Sequence, residues 1–279
     1  MEWKAVTYEP RDGVALITLN RPHRSNAWTG RMAFEYRTAM QLAEQDARVG
    51  VIVVTGAGRH FCVGADTRAL DRFADTGEYE SGVRDPLPEP GDTDHPAYGT
   101  VFGFPLAIAK PVIAAVNGAV AGVGFVLASF CDIRFGAAGA KWTPSMSKLG
   151  LPAEHGISWI LPRIIGYAQA TEWLFSSRVV ESEEAQSLGL VHAVHPPEEV
   201  LPATLAYARA LVDEAAPSSL RTIKRQLSLD LFRPLAESAD ESDRLVQEMI
   251  GSDEYRQGVR ALIEKRPPGF AARYTISGG

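Results

Sequence analysis

The chain has 279 residues, of which 46% are hydrophobic and 22% charged, as in an ordinary globular protein with a sizeable core. A formal net charge of −6 argues against a nucleic-acid-binding surface, and the two cysteines, Cys62 and Cys131, do not suggest a disulfide framework. No signal-peptide pattern opens the chain, and no apolar run reaches the ~18 residues of a membrane span. We therefore expect a cytoplasmic protein without a membrane span.

The first half of the chain predicts alternating strands and helices. Residues 3–8 and 14–19 predict a hairpin around Asp12-Gly13. Spaced apolar positions predict a helix over 29–48, followed by a strand at 51–55 and a helix from Asp66 to about Ala74. The glycine- and proline-rich segment 75–97 is interpreted as a mobile loop over a pocket, with a surface insertion as the alternative.

The second half begins with a strand, a helix and a strand at 111–116, 122–130 and 131–135, a spacing that predicts parallel pairing with a right-handed crossover. After residue 155 the chain is predicted to be almost wholly helical. The helices expected there cover residues 182–189, 197–213, 217–229, 234–250 and 253–265. The pattern predicts an α/β core followed by a helical C-terminal region.

Two glycine-rich turns each follow an apolar strand and open a helix. The first contains Gly56-Ala57-Gly58 and residues 61–66, and the second contains residues 117–124. Because such turns expose backbone N–H groups, two of them side by side could stabilise one developing oxyanion. This feature indicates chemistry on a carbonyl without a metal or a Ser/Cys nucleophile.

The chain resembles the crotonase, or enoyl-CoA hydratase/isomerase, superfamily. The matching segments are residues 19–22 with Asn26-Ala27, then 58–66, 110–118, 131–133, 188–191 and 264–270. The resemblance implies an α/β fold, a crotonase-like spiral of ββα repeats over residues 1–196, with a helical C-terminal region over 197–279 that serves trimerisation and covers the active site. It further implies a homotrimer or hexamer, an acyl-CoA thioester substrate, and no cofactor apart from the coenzyme A of that substrate.

The resemblance also implies roles for individual residues. The backbone N–H groups of Ala65 and Val123 would form the oxyanion hole, although many members of the family have glycine at the second position. Basic side chains at Arg24 and Lys265 would meet the phosphates of coenzyme A. The remaining residues expected to border the substrate are Val63, Gly64, Asp66, Gly122, Trp142 and Met146. Asp66 also fits a helix cap, and no residue spacing predicts a metal site.

An acid must move the proton, and the two glutamates of the family's hydratases fall at Val126 and Met146, which cannot do so. Asp132 is interpreted as structural. Glu154 stands four residues after Gly150, the position of the single acid in Δ3,Δ2-enoyl-CoA isomerases. An apolar pocket would raise the pKa of its carboxyl, although a helix-capping role is also compatible with its position.

The favoured function is therefore a double-bond shift in an enoyl-CoA, with Glu154 as proton shuttle. Two alternatives stay open: an enoyl-CoA hydratase or related lyase that uses Glu154 and water, and an acyl-CoA-binding protein without catalysis. The adjacent His155 is interpreted as a packing or surface histidine.

Overall fold

The computed structural model describes residues 2–78 and 87–274, which form two sheets and a set of helices. The strands, in chain order, are β1 (Val6–Arg11), β2 (Val14–Leu19), β3 (Val51–Gly56), β4 (Val112–Val116), β5 (Val120–Ala121), β6 (Ile133–Ala137), β7 (Lys141–Thr143), β8 (Val180–Glu181) and β9 (Ala193–His195). The larger sheet has the order β1-β2-β3-β4-β6-β9, in which the β1–β2 pair is antiparallel and the other pairs are parallel. Strands β3 and β4 are buried along their whole length, which explains their unbroken apolar runs.

The smaller sheet has the order β5-β7-β8. An isolated parallel bridge between Cys62 and Val120 extends it to the first glycine-rich turn. The chain therefore gives a strand to the larger sheet, a short strand or bridge to the smaller sheet, and then a helix, and it repeats this order. The described residues thus form the predicted spiral of ββα turns.

The helices pack against the two sheets. They are α1 (Gly30–Gln45), α2 (Thr67–Thr76), α3 (Val123–Ser129), α4 (Ile157–Ile165), α5 (Tyr167–Ser176), α6 (Ser182–Ser187), α7 (Val200–Glu214), α8 (Pro217–Asp230), α9 (Leu235–Met249) and α10 (Asp253–Glu264). Helix α3 is almost entirely buried. Helix α7 buries Ala208 and Val212 in a cluster with Val53 and Ala115 of the larger sheet. The division of the chain at residue 196 stays a prediction. None of the helices in the described ranges has the length and apolar character needed to cross a membrane.

The predicted hairpin, the helix in 29–48, the strands near 51–55 and 111–116 and the parallel strand–helix–strand unit are confirmed, with ends that differ by a few residues. The prediction of an almost wholly helical chain after residue 155 is confirmed by α4 to α10, although it omitted the short strands β8 and β9. Strands of two and three residues are too short to show a period of two. The same reason explains why β5 and β7 were not predicted.

The segment predicted as a mobile loop, 75–97, is only partly described, since residues 79–86 lie outside the described ranges. Its last residues are attached to α8. Arg225 donates a hydrogen bond to Asp92 (2.9 Å), and the buried His95 ring lies 3.0 Å from the Ser228 hydroxyl. The Ala97 N–H also donates to His95 Nδ1 (3.0 Å), so this part of the segment is held in place, contrary to the prediction.

A buried ion pair joins the C-terminal helices to the larger sheet. Lys224 Nζ on α8 lies 2.7 Å from Asp132 Oδ2, and the same carboxylate oxygen accepts the Val112 N–H at the start of β4 (2.7 Å). Lys224 also donates to the Lys110 carbonyl (2.8 Å). Asp132 therefore has the structural role that was predicted for it.

We expect the substitution Asp132→Asn to leave the Lys224 ammonium, only 7% exposed, without its counter-charge. Breaking one side of a buried pair costs roughly 3 kcal/mol, so the free energy of unfolding, measured in urea, should fall by about that amount. The control is Asp253→Asn, which breaks an exposed pair with Arg256 and should leave the urea midpoint near that of the wild type. Equal midpoints for the two variants would contradict the assigned role.

Candidate active site

Two asparagine side chains hold the loop after β3, where the first glycine-rich turn begins. Asn26 is fully buried, and its amide donates hydrogen bonds to the carbonyls of Ala57 (2.9 Å) and His60 (2.7 Å). Asn117 accepts the Gly56 N–H at 3.1 Å. Both asparagines belong to the segments that match the family, but no role was predicted for them. The position of Asn117 could have indicated its role, since it directly follows the end of β4, where backbone groups need a partner.

The Ala65 N–H points away from the strand-like segment beside it. Ala65 forms a parallel bridge with Trp28, in which Trp28 N–H donates to the Gly64 carbonyl (2.7 Å) and Asp66 N–H donates to the Trp28 carbonyl (3.1 Å). In an extended segment, successive N–H groups point to opposite sides, so the N–H of Ala65 faces the other way. This backbone donor is therefore directed away from Trp28.

The Val123 N–H is the first of helix α3. The first hydrogen bond of this helix runs from Val126 N–H to the Gly122 carbonyl (3.0 Å), so the earlier N–H groups have no acceptor within the helix. The positive end of the helix dipole lies at the same place. Both properties suit the binding of a negatively charged oxygen.

The two turns are in direct backbone contact. A Cβ atom on Gly122 would lie 3.7 Å from the Gly64 Cα, and both glycines have positive φ, 49° and 104°. One step further into α3, a Cβ on Gly124 would lie 2.2 Å from the Cys62 carbonyl oxygen. Only glycine lets the start of α3 approach the first turn so closely.

The predicted substrate-binding residues divide into exposed and enclosed ones. Val63 is 36% exposed. Its N–H donates to the carbonyl of Ser25 (3.3 Å), the residue that follows Arg24 in the chain. Arg24 is exposed next to the first turn. Lys265 is exposed after α10, and no contact joins it to the two turns, so its predicted role stays a prediction.

Three other predicted binding residues take part in the protein's own packing. Trp142 has no exposed surface and donates its indole N–H to the Ser182 hydroxyl (3.0 Å), so it packs in the core, and its contact with substrate stays a prediction. Met146 is 3% exposed, which also limits its contact with a ligand. Asp66 caps α2 by accepting the Arg68 N–H (3.2 Å) and pairs with Arg21 (3.0 Å). Its carboxylate is therefore engaged within the protein, and its role in substrate binding stays a prediction.

Glu154 differs from Asp66 in the environment of its carboxyl. It begins a short 3₁₀ turn, Glu154–Gly156, and its side chain is 25% exposed. Among the described residues it forms no side-chain hydrogen bond and does not cap α4, whose N-cap is Gly156. Burial raises the pKa of the Glu154 carboxyl. The hydratase glutamate positions, Val126 and Met146, are buried apolar side chains.

A series of ring contacts leads from the first turn to Glu154. Trp28, which pairs with Ala65, lies 5.3 Å from the Phe102 ring, centroid to centroid. Phe102 in turn lies 4.8 Å from the ring of His155. These contacts connect the segment that pairs with Ala65 to the turn that carries Glu154. The contact between Trp28 and Phe102 was not predicted, because it joins segments 74 residues apart.

The chain matches the family model described as enoyl-CoA hydratase/isomerase over residues 9–273. It belongs to the enoyl-CoA hydratase/isomerase family. A probable enoyl-CoA hydratase of Rhodobacter capsulatus is 33% identical over 98% of this chain and all of its own length. The 1,2-epoxyphenylacetyl-CoA isomerase of Escherichia coli is 33% identical over 94% of this chain and 96% of its own.

Solved structures of this family share the fold. A probable enoyl-CoA hydratase/isomerase from Mycobacterium abscessus has a TM-score of 0.81 and 31% identity, and the match covers 94% of this chain and 97% of that one. An enoyl-CoA hydratase from Mycobacterium marinum is 40% identical with a TM-score of 0.66, over 82% of this chain and 99% of its own. The crotonase fold and an enzyme of the hydratase/isomerase family, both predicted, are thereby confirmed.

We expect Gly124→Ala to disturb the contact between the turns, because the new Cβ would overlap the Cys62 carbonyl and lie 2.8 Å from the Cys62 Cβ. Such overpacking lowers the free energy of unfolding by about 1–3 kcal/mol and should also lower activity by displacing α3. Gly251→Ala is the control, since a Cβ there meets nothing within 4 Å. Melting temperature and activity are the measurements, and wild-type values for both in Gly124→Ala would contradict the packing argument.

Proposed function

We propose that this enzyme shifts a double bond in an enoyl-CoA thioester, with Glu154 as the proton carrier and the N–H groups of Ala65 and Val123 as the oxyanion hole. The observation that supports it most is the half-buried carboxyl of Glu154, which forms no side-chain hydrogen bond among the described residues and lies 4.0 Å from the His155 ring. A lone carboxyl is enough for an allylic shift, because the same group can remove the proton and return it.

The reaction has two proton transfers. The thioester oxygen of a 3-enoyl-CoA accepts the two backbone N–H groups, and the Glu154 carboxylate removes a proton from C2. The electron pair of the C–H bond then delocalises over the dienolate, whose charge rests on the thioester oxygen. Protonated Glu154 returns the proton at C4, which leaves the double bond between C2 and C3. One such backbone donor is worth about 3 kcal/mol to the transition state.

Further parts of the proposal concern the rest of the substrate and the assembly. Arg24 and Lys265 would bind the phosphates of coenzyme A, and the chemistry requires no cofactor beyond that coenzyme A. Large apolar side chains on the C-terminal helices support a homotrimer or hexamer, since Leu235, Leu262 and Ile263 are 85%, 80% and 74% exposed in the single chain. A cytoplasmic location stays a prediction.

Hydration is the second candidate, and the name of the Rhodobacter capsulatus relative favours it. In this reaction a water oxygen would add to C3 of a 2-enoyl-CoA while a proton adds to C2, with Glu154 serving both steps. Against it stand Val126 and Met146, which leave the water without a second carboxylate. The name of the Escherichia coli relative, an isomerase of a CoA thioester, supports the first candidate.

We expect Glu154→Gln to lower the rate of solvent deuterium exchange at C2 and C4 of a 3-enoyl-CoA by roughly 10²- to 10⁴-fold, because the amide cannot accept the proton. Exchange is followed by NMR or mass spectrometry. The control is Glu214→Gln, at an exposed glutamate at the end of α7, which should exchange at the wild-type rate.

Three outcomes would contradict the proposal. Wild-type exchange in Glu154→Gln would remove the glutamate from the mechanism. Hydration of 2-enoyl-CoA that exceeds the isomerisation rate would favour the second candidate. Tight acyl-CoA binding without any exchange in the wild type would indicate a binding protein.

The pH dependence follows from the environment of Glu154. Burial raises the pKa of its carboxyl, and the carboxylate form, which accepts the C2 proton, is lost as the pH falls through that raised value. The acid limb of kcat/KM should therefore have its midpoint above about 4.3, the ordinary value for glutamate. A pH series from 4 to 9 tests this, and a midpoint at or below the ordinary value would contradict it.

A further inference from the structure

The residue after Glu154 has an unusual backbone conformation. His155 has φ 55° and ψ 25°, in the left-handed region, and Gly156 follows with φ 81°. A non-glycine residue in this region carries a free-energy penalty and persists where the surroundings hold it. Here the conformation turns the imidazole inward, so that only 15% of the side chain is exposed.

The His155 ring lies between the aromatic region and the Glu154 carboxyl. It contacts Phe102 at 4.8 Å between centroids, with the ring planes inclined at 59°. Its Nε2 lies 4.0 Å from Glu154 Oε1. This separation is longer than a hydrogen bond, and catalytic hydrogen bonds commonly shorten to about 3 Å once substrate is bound.

The neighbours of this pair do not titrate. Phe102 packs on the imidazole. The ring of Phe130, directly after α3, lies close to Gly156, since a Cβ added to that glycine would be 3.4 Å from the ring. Burial alone shifts the two groups, lowering the pKa of His155 and raising that of Glu154, and no other charged group of the described residues contributes to either shift. Near neutral pH the imidazole is therefore neutral and has one N–H to donate.

We propose that His155 is a positioning residue that donates its Nε2–H to the Glu154 carboxylate and keeps that carboxylate directed at the substrate. The inference rests on the proposed function of Glu154. A hydrogen bond to the charged form of a carboxyl favours that form, so His155 counteracts the effect of burial on Glu154. The backbone conformation of His155 is what brings the imidazole to the carboxylate side of the turn.

Two variants of equal side-chain length test this role. His155→Gln places an amide N–H near the position of Nε2, whereas His155→Met fills similar space without a donor. Both carry the same backbone penalty, since neither is glycine or β-branched. They therefore differ in hydrogen bonding and resemble each other in packing.

We expect His155→Met to move the acid limb of kcat/KM upward by about one pH unit and to slow C2 exchange near that limb by about tenfold, because one pKa unit is a tenfold change in the carboxylate fraction. His155→Gln should stay within about twofold of the wild type. An unshifted acid limb in His155→Met would overturn the inference, whether or not its melting temperature falls. An equal loss of rate in both variants without a shift would do the same, since it indicates packing alone.

Glu154→Gln in the same assay separates the two claims. If this variant loses exchange while His155→Met resembles the wild type, only the inference about His155 fails. If Glu154→Gln exchanges at the wild-type rate, the proposed function itself fails.

Should His155→Met not fold, the imidazole of the wild-type protein still reports the interaction. Its resonance, one of six histidine signals, is titrated by NMR in the wild type and in Glu154→Gln. The pKa of His155 should be lower in the variant, because the neighbouring carboxylate that favours the imidazolium has been removed. Equal pKa values would overturn the inference.

Discussion

The backbone of the first glycine-rich turn packs against the backbone at the start of α3, and the remaining features of the site depend on this contact. Gly64 faces Gly122, and Gly124 leaves no room for a Cβ beside the Cys62 carbonyl. Side chains at these positions would separate the two turns. Two N–H donors on different segments can reach one small oxygen only if the segments are this close, so the glycines determine whether the region can act on a carbonyl.

The spiral brings the two turns together in a simple way. Strands β3 and β4 are parallel neighbours, so the chain leaves both at the same edge of the larger sheet. After each strand the chain crosses to the smaller sheet, where Cys62 pairs with Val120 and fixes the offset between the turns. Asn26 and Asn117 then satisfy the carbonyls and N–H groups of the loop that would otherwise lack partners. A ββα repeat therefore positions the site, while the asparagines keep its backbone in one conformation.

The sequence predicts the parts of this arrangement that depend on local patterns. The unbroken apolar runs of β3 and β4, the hairpin at Asp12-Gly13 and the glycine-rich turns are local, and the structure has them where they were expected. The two-residue strands β5 and β8 are held by pairing between distant segments and leave no periodicity to detect. Trp142 was expected to border the substrate, and the structure shows that its buried indole packs in the core. The contact of Trp28 with Phe102 and the left-handed His155 are also tertiary effects.

The environment of Glu154 bears on which reaction the site favours. Hydration needs a water held by polar groups. The positions that the resemblance assigns to the two hydratase glutamates are here Val126 and Met146, which are apolar and buried. Burial deprives the Glu154 carboxyl of solvation, which raises its pKa and makes the carboxylate a stronger base toward a C–H bond. An allylic shift uses that basicity twice and consumes no water. Under the proposed function a single glutamate serves both proton transfers, and the proposed hydrogen bond from His155 keeps enough of it ionised.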